Sequence, residues 1–487
     1  MTARRRINNT TLFEGLDLLA VMLYVALTLV GMLAIFSASW DSTSEAPLSF
    51  SHNYMKQGMW LGISWVVALF ILLLDSSIWH KGAYFFYGAG ILALLMTFIP
   101  GLGTKVNGAT AWLDIAGFRI QPMELAKITI ALATARIMSE YSFSVSKVGD
   151  LLKVAILLIV PMGITILQND TGSGLVLSSF IFMLYREGLS KWICLPLLFI
   201  AALFILTFVL TPLTLLIILI ALFTLSAAMM MRDENRKICI TYVASLLLVS
   251  TTAFLLWGFI SKGNAEYYTC LLITTIVSMV VVVAYAFRQN LRNLFVVVIL
   301  FLASVLILPT SDMVFTRLKD HQQKRIQSFL GMVSDPAADY NVNQAKIAIG
   351  SGGLVGKGYL KGSQIRYGLV PERHTDFIFC AIGEEFGFMG ALILLGLFCA
   401  FILRLMRMGD RQQESFGRVY CYTVASMLLF HVMVNVGMTM GVVPVMGIPL
   451  PMISYGGSSL LAYTIMIFIA FSLDASTRKG LPTYSRL

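Results

Sequence analysis

Apolar runs of roughly 16–22 residues recur along the whole chain, and runs of that length cross a bilayer as helices. Only 12% of the 487 residues are charged and the mean hydropathy is +0.83, whereas soluble domains carry about twice that charged fraction. The first run, near Leu18–Phe36, follows the basic stretch Arg4–Arg6 without a convincing small-residue cleavage site. We therefore predict a retained first span, not a removed signal peptide, in an all-α polytopic membrane protein.

The length rule predicts about 14 membrane spans. Arginine and lysine gather in the short connections between them, as in cytoplasmic loops of membrane proteins. Strict alternation cannot place all of these connections inside, so at least one boundary in the middle of the chain is expected to be wrong. The basic ends favour an even number of spans with both termini cytoplasmic. The expected extents are 17–37, 57–74, 82–99, 122–139, 151–168, 173–186, 191–209, 213–231, 238–259, 266–287, 294–309, 376–405, 418–441 and 457–474.

The net charge of +10 could indicate nucleic-acid binding, but its position in those loops makes it a topological signal. We expect no nucleic-acid partner. The cysteines lie in or beside apolar runs without metal-ligand spacing, so we interpret them as small buried hydrophobic residues. They are Cys194, Cys239, Cys270, Cys380, Cys399 and Cys421.

Three irregular polar segments interrupt the apolar pattern, at 100–121, 310–375 and 443–459. The alternation of spans gathers all three on the outer face of the membrane. Residues 310–375 form a long segment rich in glycine and charge, and connections of that length usually carry function. We expect any chemistry to centre on this large extracytoplasmic loop.

Ionisable groups inside spans are functional candidates because hydrocarbon penalises them. Glu124 and Lys127 lie three residues apart on one helical face, and an internal ion pair is the alternative to a site. Asp170 follows a span at a point where a turn or a helix cap is equally consistent. The other polar candidates within apolar runs are Glu384 and Glu385, and His431 with Asn435, interpreted as a helix-packing pair.

Asp376 is the most informative acidic residue, because it begins the predicted span 376–405 at the outer boundary of the membrane. Its simplest explanation is an acid in the first helical turn, with Thr375 as the N-cap. That explanation leaves the neighbouring charged triplet Glu372–His374 unaccounted for. Asp335 competes for the role, but Asp-Pro followed by small residues is a common turn signal.

The glycine segment Ile349–Ser363 lacks the spacing of a Walker loop and follows no predicted strand, which argues against nucleotide binding. Glycines there permit close approach of the backbone, and Lys357 and Lys361 supply positive charge. This combination suits an anionic ligand such as a lipid diphosphate, and a merely flexible loop is equally allowed.

The sequence resembles the SEDS family (shape, elongation, division and sporulation), and closely its RodA branch. The matching motifs follow in family order, and PERHTDFIF with PLPMISYGGS is the most specific part. They are Asn107–Lys127, Gln168–Gly172, Asp320–Pro336, Asn343–Gln364, Val370–Gly387 and Gly441–Ser459. The PER before HTDF favours RodA over the division-specific FtsW branch.

The resemblance implies a peptidoglycan glycosyltransferase that polymerises lipid II at the outer face of the bacterial cytoplasmic (inner) membrane during cell elongation. It implies a class B penicillin-binding protein and other elongation-complex membrane proteins as partners, with lipid II and polyprenyl-diphosphate-linked glycan as ligands. It leaves the cofactor open between none and a divalent cation, Mg²⁺ or Mn²⁺. The family's essential carboxylate falls on Asp376. The other implied site residues are Trp112, Arg119, Gln121, Glu124, Lys127, Asp170, Gln322, Arg325, Lys357, Glu372, His374, Ser454, Tyr455, Gly456 and Gly457.

The sequence departs from the family pattern at Ala111, where arginine is usual, at Met123, which replaces serine, and at Asn169, which replaces proline. The largest departure is an apparent insertion. The resemblance implies a SEDS-type bundle of ten spans, which correspond to residues 1–190 and 293–487 here. About four extra spans are expected at about 191–292. An even number of inserted spans keeps the large loop outside, and their low charge suggests a packing or partner surface.

We hypothesise that Asp376 is a general base in an inverting transfer, with Lys127, Arg119 and Lys357 as candidates to stabilise the leaving diphosphate. A lipid II flippase or transporter is the first alternative, and it predicts charged sites near the midplane and often an internal repeat, which we do not find. A scaffold that recruits the transpeptidase is the second. Polymer formation compared with transbilayer movement of lipid II distinguishes these functions.

Overall fold

A computed structural model describes residues 15–40, 52–106, 108–115, 118–190 and 336–478, with 210–230, 268–277, 301–308 and other short stretches between 199 and 327. The chain forms two compact units, one from Met1–Ser190 with Asp335–Leu487 and one from Lys191–Ser334. Each unit has its own apolar core. The extent of the predicted insertion at 191–292 stays a prediction.

The helices follow the apolar runs. The first part of the chain forms α1 (Leu18–Ser39), α2 (Asn53–Leu73), α3 (Ser77–Met96), α4 (Pro122–Met138), α5 (Val148–Leu167), α6 (Thr171–Leu175) and α7 (Phe180–Arg186). The second unit contributes α8 (Pro212–Met230), and the C-terminal part forms α9 (Pro336–Ser351), α10 (Ser363–Arg366), α11 (Ile378–Asp410), α12 (Ser415–Thr439) and α13 (Gly457–Arg478).

Six of the described helices are long and apolar enough to span a membrane: α1, α2, α5, α11, α12 and α13. The predicted polytopic helical fold is confirmed, and the total of about 14 spans stays a prediction. Helices α12 and α13 are central, since 83% and 72% of their most apolar windows are buried, compared with 22–39% in the other four. The expected single span 173–186 is instead split into α6, a 3₁₀ turn at Val176–Ser179 and α7.

Local sequence signals account for several helix ends. Asp17 caps α1 and accepts a hydrogen bond from the backbone N–H of Ala20 at 3.2 Å, satisfying a free donor of the first turn. Helix α4 begins with Pro122 and carries Glu124 in its first turn, the residue types that a helix N-terminus favours.

A buried charge cluster joins α1, α11 and α13 at one end of the bundle. Asp17 is 3% exposed and accepts hydrogen bonds from Arg404, Arg411 and Arg478 at 2.6–2.8 Å. Arg411 also donates to Asp474, which is 1% exposed. Because buried carboxylates need partners, this charge cluster holds the three helices together at that end.

The polar segment 100–121 forms a small antiparallel sheet that the sequence did not indicate. Its strands are β1 (Gly103–Val106), β2 (Ala109–Ile115) and β3 (Phe118–Ile120), in the order β1-β2-β3. The backbone N–H of Thr110 donates to Gln168 O at 2.9 Å. This bond attaches the sheet to the end of α5, beside Asp170.

The expected large loop 310–375 is partly helical, because it contains α9 and α10. Helix α9 begins at Pro336, which suits a first helical position, and it packs against α11. The competing residue Asp335 lies outside the described residues.

The glycine segment after α9 packs against a break in α11. Gly387 has φ 66° and ψ −162° inside that helix, a conformation that only glycine adopts easily. The backbone groups freed by the break bond to the glycine segment: Phe388 N to Gly353 O at 2.9 Å and Met389 N to Leu354 O at 3.0 Å. The close backbone approach predicted from these glycines is therefore to α11.

The second unit has an apolar core in its described part, where Phe223 and Phe301 rings lie 4.6 Å apart. The described cysteines are free. Cys380 and Cys421 are buried, as predicted, Cys270 is partly buried and Cys399 is exposed. Cys194 and Cys239 lie outside the described residues.

Candidate active site

Asp376 lies in a turn at residues 371–377, immediately before α11, and is partly buried. The helix starts at Ile378, and its N-cap is Phe377, which makes no side-chain cap bond. The expectation that Asp376 occupies the first turn with Thr375 as N-cap is therefore wrong. Asp376 precedes the first helical residue, so its carboxylate lies on irregular backbone ahead of the helix.

Glu372 braces this turn from within. It adopts φ 49°, unusual for a residue with a side chain, and its carbonyl accepts hydrogen bonds from the N–H groups of Thr375 and Phe377 at 3.1 and 3.2 Å. Its carboxylate accepts from Thr375 Oγ1 at 2.8 Å. Strained backbone of this kind persists only where surrounding contacts hold it, and it often occurs at functional sites.

Three consecutive carbonyls of the turn accept hydrogen bonds from the C-terminal part of the chain. Tyr455 N donates to His374 O at 2.8 Å, and Ser454 Oγ donates to Thr375 O at 2.7 Å. Asn435 Nδ2 donates to Asp376 O at 2.9 Å. The backbone that carries Asp376 is thus held on one side by α12 and by the segment 443–456.

The predicted Ser454–Gly457 motif has an identifiable structural task. Ser454 Oγ also accepts from Leu450 N at 2.8 Å, and Gly456 N donates to Gln57 on α2 at 3.2 Å. A Cβ at Gly457 would overlap the Trp60 indole, so only glycine permits this contact. The motif fixes the Asp376 turn from one side and α2 from the other.

His374 packs beside Tyr455, with 5.8 Å between ring centroids. Burial lowers the pKa of His374, Arg373 acts in the same direction and Glu372 opposes them. The imidazole is therefore neutral near pH 7. Arg373 Nε donates to Ala38 O at the end of α1 at 2.8 Å, which anchors the turn to a second helix.

Glu124 and Lys127 form a buried ion pair, 2.9 Å apart with side chains 3% and 2% exposed. This is the internal pair that the sequence left as an alternative. Lys127 Nζ also lies 3.3 Å from His431 Nε2 and donates to Tyr463 OH at 3.3 Å. Ser459 Oγ donates to the other Glu124 oxygen at 3.3 Å. Both charges are therefore matched within the bundle.

Asp170 and Gln121 meet beside the small sheet. Gln121 Nε2 donates to Asp170 Oδ2 at 2.7 Å, while Asp170 Oδ1 accepts from Ser173 N at 3.1 Å as the N-cap of α6. The cap interpretation of Asp170 is confirmed. Gly172 lies against Met446 O, where a Cβ would overlap the carbonyl. This contact brings α6 to the segment that supports Asp376.

The remaining implied residues that the structure describes have partners of their own. Lys357 Nζ donates to Glu384 Oε1 at 2.6 Å, in a pair that is 29% exposed at Lys357 and 0% at Glu384. Arg119 is 66% exposed on β3 and lies 3.9 Å from Asp114. Trp112, on β2, pairs with Thr104 of β1. Gln322 and Arg325 lie outside the described residues.

Sequence reasoning underestimated four polar residues of this group: His431 and Asn435, interpreted as a packing pair, and Tyr463 and Ser459, not considered. Their signal was a polar side chain in an otherwise apolar span. Over the described residues, no three His, Cys, Asp or Glu side chains gather in a way that could hold a metal ion. Glu124 is paired with Lys127 and Ser459.

Comparison with known proteins agrees with this arrangement. The family model FtsW/RodA/SpoVE, described as "Cell cycle protein", matches residues 17–217 and 212–479. The chain is 32% identical over 465 residues to the peptidoglycan glycosyltransferase RodA of Treponema pallidum, covering 94% of this chain and 97% of that protein. It is 46% identical over 160 residues to the peptidoglycan glycosyltransferase MrdB of Escherichia coli K12, covering 33% of this chain and 43% of that protein.

A solved chain from the study "Structural coordination of polymerization and crosslinking by a peptidoglycan synthase complex" has the same fold, with a TM-score of 0.60. It is 23% identical and covers 95% of this chain and 98% of that one. The match of the family model over nearly the whole length, and the identity to a full-length relative, lead to one conclusion: the chain belongs to the FtsW/RodA/SpoVE family, the SEDS family.

Proposed function

We propose that this protein is a peptidoglycan glycosyltransferase that polymerises lipid II into glycan strands during cell elongation. One structural observation carries the proposal: a partly buried carboxylate, Asp376, sits on backbone held at three consecutive carbonyls. A fixed carboxylate at a water-accessible edge is what a general base requires. The relatives named above are glycosyltransferases of the RodA type.

The proposed reaction is a single displacement with inversion. The Asp376 carboxylate takes the proton from the acceptor sugar's 4-hydroxyl as that oxygen bonds to the anomeric carbon of the donor. The bond from that carbon to the polyprenyl diphosphate breaks, and the diphosphate leaves with the electron pair. An α-linked donor becomes a β-1,4-linked product, so one base suffices and no covalent intermediate forms. General-base assistance supplies about 10²–10⁴-fold.

The departing diphosphate needs positive charge, and the structure changes the ranking of the three candidates. Lys127 is matched by Glu124 deep in the bundle, and Lys357 is matched by Glu384. Arg119 is exposed on the sheet and has a carboxylate neighbour only at 3.9 Å. We therefore assign leaving-group stabilisation to Arg119, with its planar guanidinium suited to phosphate oxygens. Within the described residues no three His, Cys, Asp or Glu side chains gather to hold a divalent cation, and the proposed reaction uses the residues named here.

The two ends of α1 and α11 support the proposed outer-face location. Helix α1 runs from the Asp17 cluster to Ala38, which accepts from Arg373, and α11 runs from the Asp376 turn to Arg404. The arginine-rich cluster and the turn therefore lie at opposite ends of the same helices. Cytoplasmic ends collect arginine, which supports an outward-facing turn and cytoplasmic termini.

We further propose a class B penicillin-binding protein as transpeptidase partner, together with other elongation-complex membrane proteins. The similar solved chain belongs to a peptidoglycan synthase complex, which supports this choice. Co-purification with the co-expressed transpeptidase is the direct test, and a chain that never retains it under mild detergent would contradict the assignment.

Replacing Asp376 with Asn tests the enzymatic proposal. The amide keeps shape but cannot accept the proton, so glycan polymer from labelled lipid II should be lost while the melting temperature in detergent is retained. Asp150→Asn is the matched control, since Asp150 pairs with Lys153 near the start of α5. Full polymerase activity of the Asp376 variant would refute the general-base assignment. Transbilayer movement of lipid II in liposomes without polymer would favour the transporter.

A further inference from the structure

We propose that Asn435 is a positioning residue for Asp376, an inference that rests on the proposed glycosyltransferase function. Asn435 lies in α12 and is 0% exposed. Its Nδ2 donates two hydrogen bonds, to Asp376 O at 2.9 Å and to Ile448 O at 2.8 Å. One amide thus holds the backbone of Asp376 against a central helix and against the segment 443–456.

The orientation of the amide follows from its neighbours. Two carbonyl oxygens face the same terminal atom, and only an NH₂ group can donate to both, since an amide oxygen there would be repelled. Asparagine supplies two donors on one atom from a short side chain. An alanine or a leucine at this position would leave both carbonyls without this donor.

A packing role alone does not account for the residue. Asn435 Oδ1 is buried and has no hydrogen-bond partner within the part of the chain that the structure describes. An unpaired buried acceptor is unfavourable, and an apolar side chain in α12 would avoid it. The residue is better explained by what its donors hold, the carbonyl of Asp376.

The position of Asn435 also couples two parts of the site. His431, one helical turn earlier in α12, lies 3.3 Å from Lys127 Nζ. Residues four apart share a helix face, so the same face of α12 contacts the buried ion pair and the Asp376 turn. A shift of that face would move the carboxylate, and misplacement of a reacting group by about 1 Å reduces rates by about 10²-fold.

The test compares Asn435→Ala and Asn435→Gln with the wild type in the full-length protein. Loss of both donors should lower kcat for lipid II polymerisation by roughly 10–100-fold with little change in KM. Gln keeps the NH₂ group on a longer chain, so it should retain more activity than Ala. A pure packing role predicts the reverse order, because Gln overfills a site that Ala only empties. Thr439→Val is the matched control, since Thr439 is equally buried and its hydroxyl donates to Val436 O within α12.

Amide hydrogen exchange of residues 372–377 gives a readout independent of activity. Exchange there should be faster in Asn435→Ala than in the wild type and unchanged in Thr439→Val. Wild-type kcat and unchanged exchange in Asn435→Ala, or more activity in Ala than in Gln, would overturn the positioning role. If Asp376→Asn is inactive in the same assay while the Asn435 variants give these results, only the positioning role of Asn435 is refuted and the proposed function stands. If Asp376→Asn is fully active, the general-base assignment on which this inference rests fails.

Discussion

Lys357 gives the sharpest test of how this molecule uses its charges. The sequence assigned it to an anionic ligand, whereas the structure pairs it with Glu384, which is fully buried. We predict that Lys357→Met destabilises the protein and that adding Glu384→Gln restores part of the loss. If Lys357 instead bound the diphosphate, Lys357→Met should raise the KM for lipid II and leave the melting temperature unchanged, and Glu384→Gln should not rescue it.

The magnitude follows from the contacts of Glu384. Its Oε1 accepts from Lys357 Nζ at 2.6 Å and from Gln364 N at 2.9 Å, and its Oε2 accepts from Ile365 N at 3.0 Å. Removing one partner of a buried pair costs about 3–5 kcal/mol. Lys357 is 29% exposed, so we expect about 2–4 kcal/mol for its loss. The neutral Gln should recover about 1–2 kcal/mol, a coupling typical of contacting residues.

Thermal unfolding of the four combinations in detergent measures the coupling, and lipid II polymerisation is followed in parallel. Lys361→Met is the matched control, because Lys361 lies in the same glycine segment but is exposed. It should leave the melting temperature unchanged. Additive losses from Lys357→Met and Glu384→Gln, or a wild-type melting temperature in Lys357→Met, would refute the pairing argument.

Two further predictions concern the backbone of α11 and the turn before it. Gly387→Ala should destabilise the protein strongly, because φ is 66° and a Cβ would lie 2.8 Å from Leu354 O; Gly396→Ala, with open space around it, is the control in thermal unfolding. Burial lowers the pKa of His374 below its ordinary 6.5. Below pH 6.5 the unfolded chain therefore binds more protons at this residue than the folded protein does, so the stability of the folded protein should fall on acidification. His374→Gln should flatten the melting profile between pH 6.5 and the lower folded pKa; an unchanged slope would contradict this.

The sequence was sufficient for features that depend on local composition. Apolar runs gave α1, α5 and α12 nearly at their observed bounds, because bilayer thickness sets the length of a span wherever it lies in the chain. The spacing of Glu124 and Lys127 allowed their pair, which the sequence left as the alternative to a site, since residues three apart on a helix are neighbours. The glycines of 349–363 permit a close approach of the backbone, and the structure shows that this approach is to α11.

The sequence was insufficient where the partner is distant along the chain. Nothing local indicates that Lys357 meets Glu384, or that Asn435 donates to Asp376 O. The short strands β1 to β3 were missed because three to seven residues give too little periodicity to be distinguished from a polar loop. Thr375 was expected to cap α11 because its type suits a cap, yet its hydroxyl donates to Glu372 instead.

The surroundings of a charged side chain decide whether it can take part in chemistry. A charge held within the bilayer needs a partner, and the partnership that makes Lys127 or Glu384 tolerable also removes it from chemistry. A base must keep a lone pair for the substrate, so it belongs at the edge, where water can solvate it between turnovers. The turn that carries Asp376 is held through its main chain, by Asn435, Ser454 and Tyr455. Holding the residue by its carbonyl and its neighbours' carbonyls fixes the position of the carboxylate through the main chain, which is why we expect the donors to those carbonyls to matter as much for rate as groups nearer the sugar.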